Sequence, residues 1–350
     1  MSVSNTLLEI NDLKMHFPIR KGVFQQVVGH VKAVDGVTFS IQPRETLGLV
    51  GESGCGKTTI GRCIVRDYTP TGGEILYHGA EHTVDLVSLT NKALKPYRRQ
   101  IRMVFQDPFS SLNPRMTVYD ILSEPLRIQK ITHNRNELED RIAVLLSQVG
   151  LRPEYMRRYP HAFSGGQRQR IGIAKALIVR PELLVADEAV SALDVSVRAQ
   201  ILNLMKDLQE LYNLTYLFIS HDLSVVKYLA DRVAVMYVGR LVELAPTRPL
   251  YRKPLHPYTE ALLSAVPKPN PRKRSERVRL GGDVPDPSNP PGGCYFHPRC
   301  RYVQERCKME APPLRRVGNE GHMVACHFAE ELDLQGINPT KQATTQLQQE

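Results

Sequence analysis

Residues 51–59, Gly51-Glu-Ser-Gly-Cys-Gly-Lys-Thr-Thr59, restrict the possible folds more than any other part of the chain. They match G-x-x-x-x-G-K-[ST], with Gly51, Gly56, Lys57 and Thr58 at the defining positions. The apolar run Thr46–Val50 before them reads as a buried strand, and the segment from about Lys57 to Val65 reads as a helix. Strand, glycine-rich loop and helix start, in that order, make a phosphate cradle: the loop amides turn inward and the helix dipole favours an anion. Gly51, Glu52, Ser53, Gly54, Cys55, Gly56, Lys57, Thr58 and Thr59 are therefore the candidate contacts to a nucleoside triphosphate. Lys57 is expected to reach the β- and γ-phosphates and the Thr58 hydroxyl to hold Mg²⁺.

A parallel α/β core around such a loop must place further chemistry at its strand ends, and the chain supplies it. Ile101–Gln106 reads as a strand ending on a glutamine that is a candidate for Mg²⁺ or the attacking water. Pro181-Glu-Leu-Leu-Val-Ala-Asp-Glu188 is an apolar strand ending in two acids, costly to bury unless they hold a cation or do chemistry. Asp187 is expected to support Mg²⁺ and Glu188 to polarise the attacking water. Thr215–Ser220 is another strand, and His221 just beyond it is placed to contact a γ-phosphate. Phe163-Ser-Gly-Gly-Gln167 opens a helix read over Ile171–Val179; Ser164, Gly165 and Gly166 form a second anion-binding device at its start. Two cradles for one nucleotide suggest that two chains share each nucleotide.

The N-terminal segment is expected to be β-rich. Leu7–Phe17 reads as a strand, Pro18–His30 as a basic loop or hairpin, and Val31–Ile41 as a hairpin around an Asp35-Gly36 turn. Phe17 is either a platform for an adenine ring or a core aromatic. Two helices, about Thr117–Gln129 and Asn136–Val149, form an insertion between the halves of the core; a longer helix runs from about Val195 to Tyr212. Asp231–Glu243 reads as strand, turn, strand, and helical pattern continues through Pro257–Val266.

At 350 residues the chain is long for one core. The expected division is residues 1–266 for nucleotide binding with an insertion at about 107–165, a Pro- and Arg-rich linker at 267–293, a small module at 294–330 and a frayed tail at 331–350. A net charge of +10 permits nucleic acid, anionic lipid or acidic partners without choosing among them. No stretch approaches the roughly 18 apolar residues of a membrane span, and Met1-Ser-Val-Ser-Asn5 lacks a signal pattern, so a cytoplasmic location is expected. Cys294, Cys300, Cys307 and Cys326 are spaced C-x5-C-x6-C-x18-C. In a reducing compartment four such thiols suit an iron–sulfur cluster or Zn²⁺ better than disulfides, and a metal would staple a segment too small for its own core.

The phosphate loop, Gln106, Phe163-Ser-Gly-Gly-Gln167, Leu183–Glu188, Ser191-Ala-Leu-Asp194 and His221 occur in an order that resembles ABC-transporter ATPase subunits. The resemblance runs from about Leu7 to Val266. Pro18–Gly29, Arg102–Arg115 and the cysteine-bearing tail are similar to a narrower group, the oligopeptide/dipeptide importer ATPases, specifically their F-type subunit. Three positions depart from the family pattern: Phe163 for a leucine, Ala189 for a proline and Lys175 for an arginine.

The resemblance implies a P-loop NTPase fold of the ABC type, with an antiparallel β-layer, a helical subdomain and a Cys-rich C-terminal module. It implies a head-to-tail pair in which Ser164, Gly165, Gly166 and Gln167 face the partner's phosphate loop, with Asp194 a further nucleotide-binding residue. The partner would be a paralogous D-type ATPase, with two transmembrane permeases and, indirectly, an extracytoplasmic solute-binding protein. Asn113, Pro114 and Arg115 would help receive a coupling helix. ATP, Mg²⁺ and a [4Fe–4S] cluster (Zn²⁺ as the alternative) are the implied cofactors, at the cytoplasmic face of the inner membrane. The competing reading is a soluble ABC-type ATPase acting on nucleic acid or ribosomes. One cassette and no heptad tract argue against it.

Overall fold

A computed structural model describes residues 6–79, 82–107, 112–266, 278, 280–318 and 321–337. Two sheets organise them. The larger has eight strands in the order β11-β12-β10-β9-β3-β8-β7-β6: β3 (Thr46–Val50), β6 (Ile101–Val104), β7 (Leu183–Asp187), β8 (Thr215–Ile219), β9 (Arg232–Tyr237), β10 (Arg240–Pro246), β11 (Arg315–Val317) and β12 (His322–Val324). Strands β9, β3, β8, β7 and β6 run parallel. The smaller sheet is antiparallel in the order β2-β1-β4-β5, built from β1 (Leu8–Lys21), β2 (Gln26–Ile41), β4 (Gly72–His78) and β5 (Thr83–Asp85).

The central strands are mostly apolar because both faces of the large sheet are covered. Every residue of β3, β7 and β8 is buried. The pleat sends alternate side chains to two cores. Leu47, Leu49, Leu183, Val185, Leu217 and Ile219 meet the small sheet and helix α1 (Lys57–Ile64). Val50, Leu184, Ala186, Tyr216 and Phe218 meet the helical insertion and the later helices. Each of the Leu, Ile, Val and Phe side chains among them contributes about 1.5–3 kcal/mol of burial.

The remaining helices are α2 (Tyr97–Gln100), α3 (Val118–Ile128), α4 (Arg135–Gln148), α5 (Gly165–Leu177), α6 (Val195–Tyr212), α7 (Leu223–Leu229), α8 (Thr247–Arg252), α9 (Pro257–Ser264) and α10 (Glu305–Met309). Helices α3 and α4 lie within the expected insertion. Thr117 and Asp120 close a capping box at the start of α3, and Asn134 caps α4.

The Asp35-Gly36 turn is a correction. Strand β2 is continuous from Gln26 to Ile41, and the register with β1 shifts between Leu13↔Val37 and Lys14↔Asp35, leaving Gly36 in a bulge at φ +82°. The Asp35 carboxylate is engaged by Arg240 at 2.9 Å and His16 at 3.0 Å, contacts distant in sequence that override a local turn preference. The hairpin turn lies earlier, where the Gln25 amide donates to the Gly22 carbonyl. Pro18 is tolerated inside β1 because β4 pairs only with Leu8–Lys14, so β1 has one neighbour there.

The C-terminal segment is welded to the core. The β11–β12 hairpin extends the large sheet, pairing Val324 with Glu243 and Met323 with Leu244. Fraying from Glu331 is also corrected: Leu334 is buried, Gln335 N–H donates to Glu260 and Ile337 N–H to the Tyr251 carbonyl. Those contacts supply partners that the polar tail composition does not reveal. The tail beyond 337, and the linker at 267–277 and 279, lie outside the described residues. Residues 280–293 form no strand or helix, and Pro287 accepts a hydrogen bond from Lys32 N–H.

Candidate active site

Strands β3, β7 and β8 end at the same edge of the large sheet, and their following residues line one cleft of about 390 Å³. Ser53, Gly54, Gly56, Lys57, Thr58 and Thr59 form one wall; Gln106, Glu188 and His221 face them, with Ala33 of β2 at the side. The loop needs its glycines. Gly56 sits at φ +106°, and a Cβ there would lie 2.0 Å from the Ala33 carbonyl oxygen. Gly51, at φ +153°, would place a Cβ 2.2 Å from the Met236 carbonyl oxygen.

Lys57 is buried, and its ammonium donates to the Gly51 carbonyl at 2.9 Å, the Glu52 carbonyl at 2.8 Å and the Cys55 Sγ at 3.6 Å. It thereby ties the loop across its own mouth. Thr58 Oγ1 donates to Asp187 Oδ1 at 3.0 Å. Burial pushes the Asp187 carboxyl above its ordinary range, against the lowering effect of the Thr58 hydroxyl. A buried carboxylate with a hydroxyl beside it is a hard-oxygen donor set of the kind that suits Mg²⁺.

Glu188 follows β7 in a left-handed conformation, φ +46°, held by its amide donating to the Ile219 carbonyl. That turn points the carboxylate into the cleft. Gln106 Nε2 donates to Glu188 Oε2 at 2.9 Å, and His221 Nδ1 lies 3.1 Å from Glu188 Oε1. Glutamine, glutamate and histidine from three separate strand ends thus form one chain.

Other expected residues stand elsewhere. Ser164, Gly165, Gly166 and Gln167 line no part of this cleft; Ser164 caps α5 and shares a capping box with Gln167. Asp194 is the exposed N-cap residue of α6, without a side-chain capping bond. Phe17 does not line the cleft either. Its ring meets Tyr68 edge-on at 5.4 Å and is partly buried against the core.

Cys294, Cys300, Cys307 and Cys326 are free thiols and all line one small apolar cavity of about 20 Å³. Burial raises the Cys294 thiol, pushes Cys300 up to about 11 and Cys326 up to about 12. Among the described residues, no group of three or more His, Cys, Asp or Glu side chains is placed to hold a metal ion.

Two contacts to the phosphate loop have no signal in the motif. Tyr258 of α9 accepts the Glu52 amide at 2.8 Å, and Arg299 makes a two-pronged contact with the Glu52 carboxylate at 2.7 and 3.1 Å. Both come from more than 200 residues away in the chain, a separation of 206 for Tyr258 and 247 for Arg299.

Residues 34–191 match the ABC transporter family, and residues 242–307 match the oligopeptide/dipeptide transporter C-terminal region. The oligopeptide transport ATP-binding protein AppF of Bacillus subtilis is 54% identical over 329 residues, covering 92% of this chain and 97% of that protein. A probable peptide ABC transporter ATP-binding protein, y4tS of Sinorhizobium fredii, is 48% identical over 345 residues, covering 99% of this chain and 96% of its own length. Among solved structures, the dimeric post-hydrolysis ATP-binding cassette MJ0796 bound to ADP and Pi is 25% identical, with a TM-score of 0.60, covering 69% of this chain and 99% of that one. None of these relatives supports the nucleic-acid or ribosome alternative. With the phosphate loop, Glu188 and His221 gathered on one cleft, Asp187 bound to the loop's Thr58 hydroxyl, and relatives matched along nearly its whole length, the chain belongs to the ATP-binding proteins of the oligopeptide/dipeptide ABC-transporter family.

Proposed function

We propose that this chain hydrolyses ATP as one subunit of a peptide importer, at the cytoplasmic face of the membrane. The observation that carries the reading is the convergence of Lys57, Thr58, Gln106, Glu188 and His221 on one cleft. The loop amides and Lys57 bind the phosphates; Lys57 trades loop carbonyl partners for phosphate oxygens. Thr58, Asp187 and Gln106 would hold Mg²⁺, which neutralises phosphate charge when bound. Glu188 orients the attacking water and accepts its proton, while Gln106 and His221 keep the carboxylate aimed. His221, more than half exposed on its side chain, is free to turn toward the γ-phosphate.

Hydrolysis is proposed to need two chains. Ser164–Gln167 offers a helix start and Asp194 an exposed acid, both outside this chain's own cleft, which supports their facing a partner's nucleotide. The partner is proposed to be a paralogous D-type ATPase. The loop after Gln106, with Asn113, Pro114 and Arg115, and the helical insertion would form a groove that receives a coupling helix from one of two permease subunits, which take peptide from a solute-binding protein. Among the described residues no helix is long and apolar enough to cross a membrane, so attachment would come through those partners. Glu188→Gln should retain MgATP binding and lose turnover, trapping a closed pair; hydrolysis near the wild-type rate would remove Glu188 from the role of base.

The four cysteines are proposed to ligate a [4Fe–4S] cluster, with Zn²⁺ as the alternative. Among the described residues the four thiols are not placed to hold a metal, so loading would have to draw them together; support comes from their sharing one apolar cavity and from the thiolate preference of both groups. Its role would be structural, tying loops 294–307 to Cys326. Anaerobic purification with iron, sulfide and zinc analysis decides it, and metal-free folded protein of unchanged melting temperature would refute it.

A further inference from the structure

The cysteine-bearing segment touches the phosphate loop through one side chain. Arg299 ends a short 3-10 turn, His297–Arg299, that begins just after Cys294 and runs into Cys300. The turn is pinned because His297 N–H donates to the Cys294 carbonyl and His297 Nδ1 lies 2.9 Å from the same oxygen. The Arg299 side chain is 7% exposed and lies over Tyr237, whose ring packs against Tyr258 and Phe296. From that aromatic seat its guanidinium grips both carboxylate oxygens of Glu52. Tyr258, in the same cluster, holds the Glu52 amide, and the Glu52 carbonyl accepts Lys57. All three polar groups of Glu52 are therefore fixed from outside or across the loop.

We propose that Arg299 is a positioning residue for the phosphate cradle, acting in two ways. It fixes the loop conformation, and it neutralises a carboxylate that would otherwise stand unpaired next to the site of a polyanion. The proposal rests on the ATP reading above and deepens it: the C-terminal segment becomes a structural support of nucleotide affinity. A bidentate guanidinium–carboxylate contact this sheltered gives directional hold that an ammonium cannot reproduce.

The test uses the purified full-length chain and equilibrium titration with MgATP and MgADP. Arg299→Met should weaken both about tenfold while the protein still melts cooperatively. Arg299→Lys should fall between, keeping the charge and losing the fork. Glu52→Gln placed in the Arg299→Met background should recover most of the affinity, and raising ionic strength should shrink the Arg299→Met defect. A merely structural Arg299 predicts neither the recovery nor the salt effect. Wild-type affinity in folded Arg299→Met, or a defect that Glu52→Gln leaves unchanged, overturns the proposal alone. A wild-type chain that binds no nucleotide overturns the ATP reading and this one with it.

Discussion

Replacing Glu243 with glutamine removes a negative charge and almost no volume from the point where the C-terminal hairpin joins the main sheet. Glu243 is fully buried on β10. Its Oε1 accepts the Leu255 amide at 2.7 Å and His322 Nε2 at 2.6 Å, and its Oε2 accepts the His256 amide at 3.1 Å. A glutamine amide can accept on one side only. Whichever way it turns, its NH₂ faces a backbone N–H, leaving that donor without a partner. The orphaned amide and the loss of charge assistance together cost about 3–5 kcal/mol. For a chain of this size the unfolding entropy is about 0.7 kcal/mol/K, so Glu243→Gln should melt roughly 4–7 °C lower. Differential scanning calorimetry of the nucleotide-free protein measures this directly. Combining Glu243→Gln with His322→Leu should cost less than the two single changes added, since both break one contact. A Glu243→Gln melting temperature within 1 °C of wild type would refute the reasoning, because a carboxylate with three buried donors cannot be dispensable.

Three further outcomes follow from the site and its surroundings. Gly56→Ala should abolish MgATP binding while far-ultraviolet circular dichroism stays near native, because its Cβ would overlap the Ala33 carbonyl; retained binding would contradict the loop geometry. Asp187→Asn should raise the melting temperature of nucleotide-free protein by a few degrees while losing Mg²⁺-dependent hydrolysis, since burial disfavours the ionised carboxylate; a lower melting temperature would oppose this. His256 is buried, accepts the Tyr258 amide through Nδ1, and burial drives its pKa from 6.5 down to about 3. The unfolded chain takes up a proton that the folded one refuses, so stability is whole above pH 6.5 and falls as pH drops toward 3, by up to about 1.4 kcal/mol per unit. His256→Asn retains a capping acceptor and should flatten that slope; an unchanged slope places its origin in other groups.

The residues that line the candidate site were legible in the sequence because the phosphate-loop pattern is local. A phosphate loop needs glycines, a lysine and a hydroxyl at fixed spacing, and a strand ending in Asp187-Glu188 announces itself by putting acids after an apolar run. The helices of the insertion were legible for a similar reason, since the Thr117/Asp120 box and Asn134 mark their starts within a few residues. Asp35-Gly36 misled because a turn signal and a bulge signal use the same residue types. The strand continues because Asp35 is engaged by Arg240, 205 positions away, and by His16 on the neighbouring strand.

By itself, then, the amino-acid order determined the candidate residues and the strands and helices that hold them, as short-range sterics and patterning require. Which strand ends meet was decided by tertiary structure: Gln106 hydrogen-bonds Glu188, and His221 comes within 3.1 Å of the same carboxylate, only when β6, β7 and β8 lie side by side. The same holds for Arg299 and Tyr258 on Glu52. No spacing rule links residues more than 200 positions apart; packing of the two cores brings them within hydrogen-bond reach.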